Sequence, residues 1–296
     1  MVAKTVELPN VRRMFIPDDG YMMIDIDLER ADAQVVAWEA DDDELKDIFR
    51  SGADIHTENA AAVFHVPSSK VSYRQRQMAK AGVHGTNYGG SAKTIAAETG
   101  MTVAEADLFQ SRWFEAHPKI KTNFHEKIAK CLLRDRTIHN AFGYNYTFFD
   151  RVTGTAQYGV DPKKFHEALA WVPQSTVAIA TNLGLVSIDA NLPSVHILLQ
   201  VHDSLVLQAP IDECPEIFEK INECMKVIVP YDDPLIIPTS MGLSTLSWGD
   251  LFHLEQLPKL LSLANQPIPV ITQALDIPPR IVEMVLENRV KYGATA

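Results

Sequence analysis

The apolar pattern near the N-terminus predicts a buried strand that ends in an aspartate. Residues Tyr21–Asp27 (YMMIDID) are mostly large and apolar, which is typical of a strand inside a sheet. A helical pattern follows over Ala31–Phe49, with a turn expected at the three consecutive acids Asp41–Asp43. The pattern therefore places Asp27 just before the start of a helix.

A second pair of apolar runs predicts a hairpin with an acid at its tip. Val195–Val201 and Ser204–Gln208 are rich in Val, Leu and Ile, and only His202 and Asp203 separate them. If this hairpin pairs with the first strand, Asp27 and Asp203 meet in one sheet.

The segment Ser69–Tyr88 predicts a helix that carries one stripe of polar and aromatic side chains. Residues four positions apart advance by about 40° around a helix, so Arg76, Lys80, His84 and Tyr88 lie within a stripe about 120° wide. Such a stripe can hold a triphosphate on its cations and a base against its rings. A solvated basic face with one buried tyrosine is the alternative interpretation.

Further periodic segments complete a mixed pattern of helices and strands. Helices are predicted at Val103–Ala116, Pro118–Arg134, Phe165–Ile188 and Pro215–Val227, aromatic strand residues at Asn140–Asp150, a strand at Leu235–Met241, and a small helical appendix at Leu257–Ala296. The appendix contains a helix-turn-helix-like stretch, Ile271–Val290, whose charge is nearly balanced. That balance favours packing or partner docking over the reading of DNA.

The composition is typical of a folded protein, and the net charge disfavours one class of function, the binding of nucleic acid. Of the 296 residues, 46% are hydrophobic and 22% are charged. The three cysteines lack metal-ligand spacing and the N-terminus lacks an apolar signal core, so a cytoplasmic protein without a membrane anchor is expected. The formal net charge of -11 predicts weak affinity for nucleic acid, because phosphates are bound mainly by Lys and Arg. Nucleic-acid binding would need locally basic patches or a partner with positive surface.

Two aspartates brought together from distant segments are typical of a two-metal site. Nucleotidyl transfer uses two divalent ions about 4 Å apart, bridged by hard oxygen ligands. Asp27 and Asp203 suit this role, although a single Asp after a strand is more often a helix cap or a turn residue.

Three segments resemble motifs A, B and C of the DNA polymerase I family, known as family A. They are Asp27–Ala37, Arg76–Gly89 and Leu198–Leu207, which begins with LLQVHD. Shorter stretches are similar to the family in the same order: Phe15–Tyr21 (FIPDDGY), Asp54–Thr57 (DIHT), Arg112–Phe114 with His117–Pro118, Phe142–Gly143 and Gln174–Ser175. The resemblance covers roughly residues 8 to 250.

The resemblance implies catalytic and metal-binding roles for the matching residues. Asp27 and Asp203 would hold two Mg²⁺ ions, with Mn²⁺ as a possible substitute, and the carbonyl of Leu28 would be a further ligand. Arg76 and Lys80 would bind the triphosphate of a dNTP. Lys80 would also protonate the pyrophosphate leaving group.

The resemblance also implies how the nucleotide and the primer-template are held. His84 would pack on the nucleotide, Tyr88 would lie by the templating base, and His56 would lie near the β-phosphate. Asp32 would guard the 2' position of the sugar. The contacts to the primer-template would come from Gln174, Gln200 and His202.

The chain departs from the family pattern at four positions. Asp32 stands where the family usually has Glu, His84 where it has Phe or Tyr, Ser204 where motif C has Glu, and Ala170 where an Asn precedes the Gln. These departures bear on selectivity and rate but leave both metal aspartates in place. Because Asp32 is one methylene shorter than Glu, looser rejection of ribonucleotides is expected.

The resemblance implies an α/β (α+β) fold, with an antiparallel palm sheet that carries Asp27 and Asp203 and a helical fingers insertion. The expected segments are palm at 1–60, fingers and a return to the palm at 61–165, palm at 166–255 and an appendix at 256–296. Neither the family's thumb nor its 3'-5' exonuclease fits in residues 1–26. A split polymerase is therefore expected, phage-type, with a separate polypeptide supplying the thumb, the exonuclease or both.

Template-directed DNA synthesis from dNTPs on a primer-template is the preferred function, and two alternatives stay open. A single-subunit RNA polymerase has a similar palm, although the QVHDSL and DIHT segments favour the DNA enzyme. A catalytically inactive binding subunit is compatible with Ala170, His84 and Ser204. Retention of Asp27 and Asp203 opposes it.

Overall fold

Helices and short strands alternate along the chain, which a computed structural model describes over residues 9–154 and 157–292. The strands are β1 Tyr21–Leu28, β2 Thr137–His139, β3 Asn145–Thr147, β4 His196–Val201, β5 Ser204–Pro210, β6 Ile228–Val229, β7 Leu235–Ile236, β8 Thr239–Ser244 and β9 Phe252–His253. The helices are α1 Ala31–Glu39, α2 Asp43–Ser51, α3 Ile55–Phe64, α4 Tyr73–Asn87, α5 Ala92–Thr99, α6 Val103–Ala116, α7 Glu126–Arg134, α8 Pro162–Asn191, α9 Glu216–Met225, α10 Leu257–Ser262, α11 Ile268–Leu275 and α12 Pro279–Glu287. The ends of the predicted palm and appendix segments, 1–8 and 293–296, lie outside the described residues.

Contacts along the chain define two compact units. The sheet unit comprises Met1–Glu29, Ala180–Val227 and Ile236–Ala296, and the helical unit comprises Arg30–Ile179 and Ile228–Leu235. The long helix α8 begins in the helical unit and ends in the sheet unit. The segment boundaries expected at residues 60, 165 and 255 stay a prediction.

The sheet unit contains a five-stranded antiparallel sheet within the described residues. Its order is β4-β5-β1-β8-β9, so β1 is the central strand. Met22, Ile24 and Ile26 are fully buried on one face of β1 and Met23 is fully buried on the other, which explains the almost continuous apolar pattern of this strand. The expected antiparallel sheet, with β1 paired to the β4–β5 hairpin, is confirmed.

One prediction in the sheet unit was wrong. A single strand was expected at Leu235–Met241, but the segment contains the whole of β7 and the start of β8, with Pro238 between them. Proline has no N–H to donate to a strand ladder, so pairing stops there. β8 then resumes at Thr239 and pairs with β1 as far as Ser244.

A small hydrophobic cluster packs on β1 and β5. Met23 and Val206 are buried against Trp248, and partly buried side chains surround them: Leu199, Val201 and Leu251. The cluster anchors the segment after β8, because Trp248 also donates its backbone N–H to the carbonyl of Phe15 at 2.8 Å. Trp248 is thereby held over the sheet.

The appendix packs within the sheet unit. Val282 and Val285 of α12 are fully buried, and the ring centroid of Tyr292 lies 5.9 Å from that of Phe252. Arg280 forms an ion pair with the buried Asp250. The inward side of α12 is therefore used for packing.

In the helical unit, α4 begins later than the sequence indicated. The helix was expected from Ser69, but it starts at Tyr73 because Ser72 forms a capping box with Gln75. The Ser72 side chain accepts from the N–H of Gln75 at 3.3 Å, and the Gln75 side chain accepts from the N–H of Ser72 at 2.9 Å. A short 3₁₀ turn, Ser68–Lys70, precedes the cap.

Other helical segments differ from the sequence pattern in detail. The helix expected over Pro118–Arg134 is a π-helical stretch, Ile120–His125, followed by α7. The helix α3, which starts within the DIHT segment, had not been predicted. Helix α8 begins three residues earlier than expected, at Pro162, and continues through Pro173. Such boundaries depend on capping and tertiary packing more than on periodicity.

Helix α8 is the one helix among the described residues whose length and composition would also allow it to cross a membrane. The sequence pattern had not indicated such a segment. Of its most apolar 18-residue window, 44% is buried within the protein. A core helix passes the same test, so this helix is weak evidence for a membrane span.

Candidate functional site

Two aspartates from distant segments meet at the end of β1 in the sheet unit. Asp27 pairs in register with Ser204 on β5, directly after the β4–β5 turn. The backbone N–H of Leu28 donates to the carbonyl of Asp203 at 3.2 Å, which fixes that turn against β1. His202 occupies the turn with a left-handed φ of 57°. The structure thus brings Asp27 and Asp203 together, while their role as metal ligands stays a prediction.

Negative charge accumulates around Asp27. Burial, followed by the neighbouring charges of Asp203, Asp25 and Glu29, raises the pKa of Asp27 to about 7. The two carboxyls are close enough for Asp203 to share a hydrogen bond with Asp27. Such a pair is stabilised by a proton or by a cation, so the site has the electrostatic character of a cation-binding site.

A pocket surrounds the two carboxylates. Its other polar lining residues, all in the sheet unit, are Arg12, Asp25, His202, Ser204, Ser240 and His253. Trp248 closes one side, with the guanidinium of Arg12 4.5 Å from its ring centroid. The pocket therefore combines carboxylate oxygens with the aromatic face of Trp248.

In the helical unit, Arg76 is held by Asp54. The Nε and Nη2 atoms of Arg76 donate to the two carboxylate oxygens of Asp54 at 2.5 and 3.1 Å. Asp54 also accepts from the N–H of His56 at 3.2 Å and from the hydroxyl of Thr57 at 2.7 Å. The Arg76 guanidinium holds the pKa of Asp54 well below its usual range. Arg76, expected to bind a triphosphate, thus forms an ion pair with a carboxylate in this structure.

His56 lies among cations. Burial lowers the pKa of His56 to about 4, and the charges of Arg76, Lys80 and Arg30 act in the same direction against the opposing charge of Asp54. The imidazole is therefore neutral at pH 7. Cations that disfavour protonation of His56 create a positive local potential, which is suited to bind an anion such as a phosphate.

The rest of the α4 stripe is linked to α1. His84 is exposed, and its ring centroid lies 4.6 Å from that of Tyr88 in an edge-to-face arrangement. Tyr88 is buried, and its hydroxyl donates to a carboxylate oxygen of Asp32 at 2.8 Å. Burial, followed by the charge of Asp32, raises the pKa of Tyr88 far above its usual value. Asp32, expected to guard the 2' position of the sugar, is thus hydrogen-bonded to Tyr88, expected beside the templating base.

The residues expected to contact the primer-template are exposed in the unit to which each belongs. Gln174 is exposed on α8 in the helical unit. In the sheet unit, Gln200 is exposed on β4 and donates to Asn182 at 2.9 Å, and His202 is exposed in the hairpin turn. Exposure is compatible with DNA contact, which stays a prediction for all three.

The sequence model of one protein family, described as DNA polymerase family A, matches residues 2–249 of this chain. The chain belongs to DNA polymerase family A. Two of the similar proteins carry the name DNA polymerase I.

These family A relatives are much longer than this chain. The thermostable enzyme of Thermus filiformis is 32% identical over 239 residues, which cover 78% of this chain and 28% of the relative. The Deinococcus radiodurans enzyme is 29% identical over 239 residues, covering 78% of this chain and 24% of the relative. The chain therefore spans about a quarter of the length of these relatives.

A solved family A structure has a similar fold. It is the POL domain of Pol1 from M. smegmatis in complex with DNA primer-template and dNTP, with a TM-score of 0.72 and 22% identity. The similarity covers 81% of this chain and 42% of that chain. It confirms the predicted fold class.

One departure from the family A pattern has a clear structural role. Ser204, which replaces the usual Glu of motif C, is almost fully buried, and its hydroxyl donates to the carbonyl of Val201 at 3.1 Å. The side chain therefore closes the hairpin turn instead of adding a charge beside Asp203. Ala170 is partly buried on α8.

Asp25 is a site residue that the sequence analysis missed. It lies two residues before Asp27 and therefore on the same face of β1, a spacing that could have revealed it. One of its oxygens accepts from the indole N–H of Trp248 at 2.6 Å. The other, Oδ1, is buried without a hydrogen-bond partner among the described residues.

The donor set fits a divalent cation. Hard carboxylate oxygens are the preferred ligands of Mg²⁺, which usually completes its shell with water and substrate oxygens. Asp27 and Asp203 supply two such carboxylates, and the buried Oδ1 of Asp25 adds an unsatisfied oxygen to the same pocket. Residues 9–154 and 157–292 contain no group of three or more His, Cys, Asp or Glu side chains that could together hold a metal ion. Protein ligands alone would thus form an incomplete shell.

Asp27→Asn should stabilise the metal-free protein at high pH. A carboxyl whose folded-state pKa is raised binds its proton more tightly in the native state, so wild-type stability falls as the pH rises from about 4 to about 7. After allowance for solvent screening of a partly exposed group, we expect Asn to gain about 1–2 kcal/mol over wild type at pH 8. Urea unfolding in EDTA at pH 4 and pH 8 measures this gain.

Asp212→Ala provides the matched control. Asp212 belongs to the same unit, and its side chain is 93% exposed. Its removal should leave the pH dependence unchanged. If the free energy of unfolding differs between Asp27→Asn and wild type by the same amount at pH 4 and pH 8, the pKa of Asp27 is not raised.

Proposed function

We propose that this chain is the nucleotidyl-transfer part of a DNA-directed DNA polymerase that extends a primer 3' end. The observation that carries the proposal is the convergence of Asp27 and Asp203, with a raised Asp27 pKa, in a chain of family A. In this proposal the sheet unit is the palm and the helical unit carries the fingers. We also propose a cytoplasmic location.

In this proposal, Asp27 and Asp203 would hold two Mg²⁺ ions, with the Leu28 carbonyl as a further ligand. Two bound ions supply activation of the attacking primer hydroxyl and neutralisation of charge on the leaving phosphate. Asp27 would have to be deprotonated to serve as a ligand, because carboxylates bind metal ions in their charged form. Asp25 keeps the pocket negative, which favours cation binding.

The incoming dNTP is bound by the cations of the helical unit. Arg76 exchanges the carboxylate of Asp54 for triphosphate oxygens, since its planar guanidinium matches either anion in a bidentate manner. Lys80 is exposed and binds the same phosphates, and it donates a proton to the leaving pyrophosphate. The neutral imidazole of His56 lies near the β-phosphate as a hydrogen-bonding partner.

The base and the DNA are contacted by the remaining residues. The exposed ring of His84 packs on the nucleotide, and Tyr88 lies by the templating base. Gln174, Gln200 and His202 are exposed and contact the primer-template.

Removal of either metal aspartate should slow DNA synthesis strongly. Metal ions contribute several kcal/mol of transition-state stabilisation, so Asp27→Ala and Asp203→Ala should lower the rate of primer extension by a factor of about 10² to 10³. The measurement is single-nucleotide extension of a labelled primer-template with Mg²⁺ and dNTPs, if necessary with the proposed partner protein present.

Asp212→Ala is the control for the loss of one negative charge in the same unit, and it should extend the primer at the wild-type rate. Extension by Asp27→Ala at the wild-type rate would refute the assignment. Absence of extension by every form, with and without the partner, would favour the inactive binding subunit.

We further propose that Asp32 gives loose discrimination against ribonucleotides. Its carboxylate accepts a hydrogen bond from Tyr88, which fixes its position on α1. A side chain one methylene longer reaches further towards a 2'-hydroxyl. Asp32→Glu should therefore raise the preference for dATP over ATP by about tenfold, the usual effect of one methylene in a binding pocket.

Incorporation of dATP and ATP opposite template dT, by wild type and Asp32→Glu, measures the preference. Asp32→Asn is the length-matched control, because it retains an oxygen that accepts from Tyr88 and should leave the selectivity loose. Equal selectivity in wild type and Asp32→Glu would remove this role of Asp32.

We also propose that a separate polypeptide supplies a thumb, a 3'-5' exonuclease or both, as in a split, phage-type polymerase. The net charge of -11 supports this, because a chain with few cations has weak affinity for duplex phosphates. A cluster of exposed apolar side chains gives the partner a surface to contact: Val11, Met14, Phe15 and Ile16.

The purified chain alone should extend a primer by only one or a few nucleotides per binding event. Rapid dissociation is the reason, since few phosphate contacts hold the duplex. Extension in the presence of excess unlabelled trap DNA measures this, and co-purification from the native source identifies the partner. Long products made by the chain alone in the presence of the trap would contradict the partner proposal.

A further inference from the structure

Three aromatic rings form a stack on the surface of the helical unit. The ring centroid of Trp171, on α8, lies 6.3 Å from that of Tyr144 and 5.7 Å from that of Tyr146, with the planes inclined by only 19° and 25°. Tyr144 is 64% exposed and Tyr146 is 40% exposed. Much of this aromatic surface is therefore in contact with solvent.

The stack is held rigidly by the loop between β2 and β3. Asn140 is buried, and its side-chain oxygen accepts from the backbone N–H groups of Phe142 at 3.1 Å and Tyr144 at 3.0 Å. Its amide nitrogen donates to the hydroxyl of Ser175 on α8 at 3.0 Å. The loop is thus fixed to the helix that carries Trp171, so a ligand would meet ordered rings and lose little entropy in ordering them.

Hairpin packing alone does not explain the exposure of these rings. The buried Phe148 meets Tyr146 edge-to-face at 4.8 Å and anchors the hairpin. Tyr144, by contrast, leaves almost two thirds of its surface in solvent. Aromatic residues exposed in this way mark binding surfaces for planar ligands.

We propose that this stack of Tyr144, Tyr146 and Trp171 binds unpaired bases of a DNA template strand. Every base has a π-face that can stack on an aromatic side chain, and in a duplex these faces are covered by neighbouring bases. Stacking needs no positive charge, which suits a chain with a net charge of -11. The inference rests on the proposed DNA-polymerase function, which supplies the class of ligand.

The position of the stack on α8 supports a DNA ligand. Trp171 lies three residues before the exposed Gln174, so the two side chains are neighbours on one face of the helix. Gln174 is proposed above to contact the primer-template. The stack would therefore extend that contact surface within the helical unit with an uncharged platform.

Binding of single-stranded DNA by Tyr144→Ala tests the inference. The probe is a fluorescent oligo(dT) of about 12 nucleotides, within the usual size range of single-strand sites, and its comparison strand has the same backbone with abasic sites. Loss of one stacked base should weaken oligo(dT) binding by about tenfold. Tyr144→Phe should bind as wild type does, because stacking needs the ring and not the hydroxyl. Wild type should bind the abasic strand at least as weakly as Tyr144→Ala binds oligo(dT), because that strand has no base to stack on any of the three rings.

Salt dependence separates stacking from a general structural effect. Tyr144→Ala leaves the phosphate contacts in place, so the slope of log affinity against log salt should equal that of wild type. Phe149→Ala is the matched control, since Phe149 is 90% exposed in the same segment but is no part of the stack. It should bind oligo(dT) with wild-type affinity.

Two results would overturn the inference: equal affinity of wild type and Tyr144→Ala for oligo(dT), or equal affinity of wild type for oligo(dT) and the abasic strand. Asp27→Ala distinguishes this failure from failure of the proposed polymerase function. That variant should lose primer extension yet keep base-dependent binding. Extension that depends on Asp27, together with binding that is independent of Tyr144, would refute the aromatic platform alone.

Discussion

The pairing of β1 with the β4–β5 hairpin is the constraint on which the candidate metal site depends. Carboxylates at close range repel one another, so the apolar strands must hold Asp27 and Asp203 together against that repulsion. The hydrogen bond from Leu28 to Asp203 fixes the turn in this register. A slip by one residue would move Asp27 to the opposite face of the sheet, so the burial of Ile24 and Ile26 also determines where the carboxylate points.

Each unit contains a local cluster of unbalanced charge, negative around Asp27 and positive around His56. In the sheet unit, burial and then the neighbouring acids raise the pKa of Asp27, and a buried oxygen of Asp25 has no partner among the described residues. In the helical unit, burial and then the neighbouring cations lower the pKa of His56. The charge contribution to each shift reflects a local excess of one sign, which a bound ion of the opposite charge would neutralise. The ion pair of Arg76 with Asp54 is a partial neutralisation of this kind within the protein itself.

Because the chain is acidic, contacts to DNA that need no positive charge, or that a basic partner supplies, are favoured. With 38 acidic and 27 basic side chains, the chain has few cations to spare for duplex phosphates. The aromatic stack of Tyr144, Tyr146 and Trp171 is a surface that could bind DNA without positive charge. The exposed apolar segment near Met14 is a surface that could contact a basic partner. A partner that brings positive charge and a platform that stacks on bases would act together, because one holds the backbone and the other the bases.

The sequence by itself determined the strand that ends at Asp27, the hairpin with Asp203 at its tip, the helix of the Arg76–Tyr88 stripe and membership of the family, because periodicity, turn residues and motif spacing are local properties. Only the tertiary structure decided the contacts made at long range. The neighbours of Asp25, the Asp54 partner of Arg76 and the Asp32 partner of Tyr88 depend on which segments pack together. Burial and neighbouring charge, which set the protonation of Asp27 and His56, exist only once those segments have met.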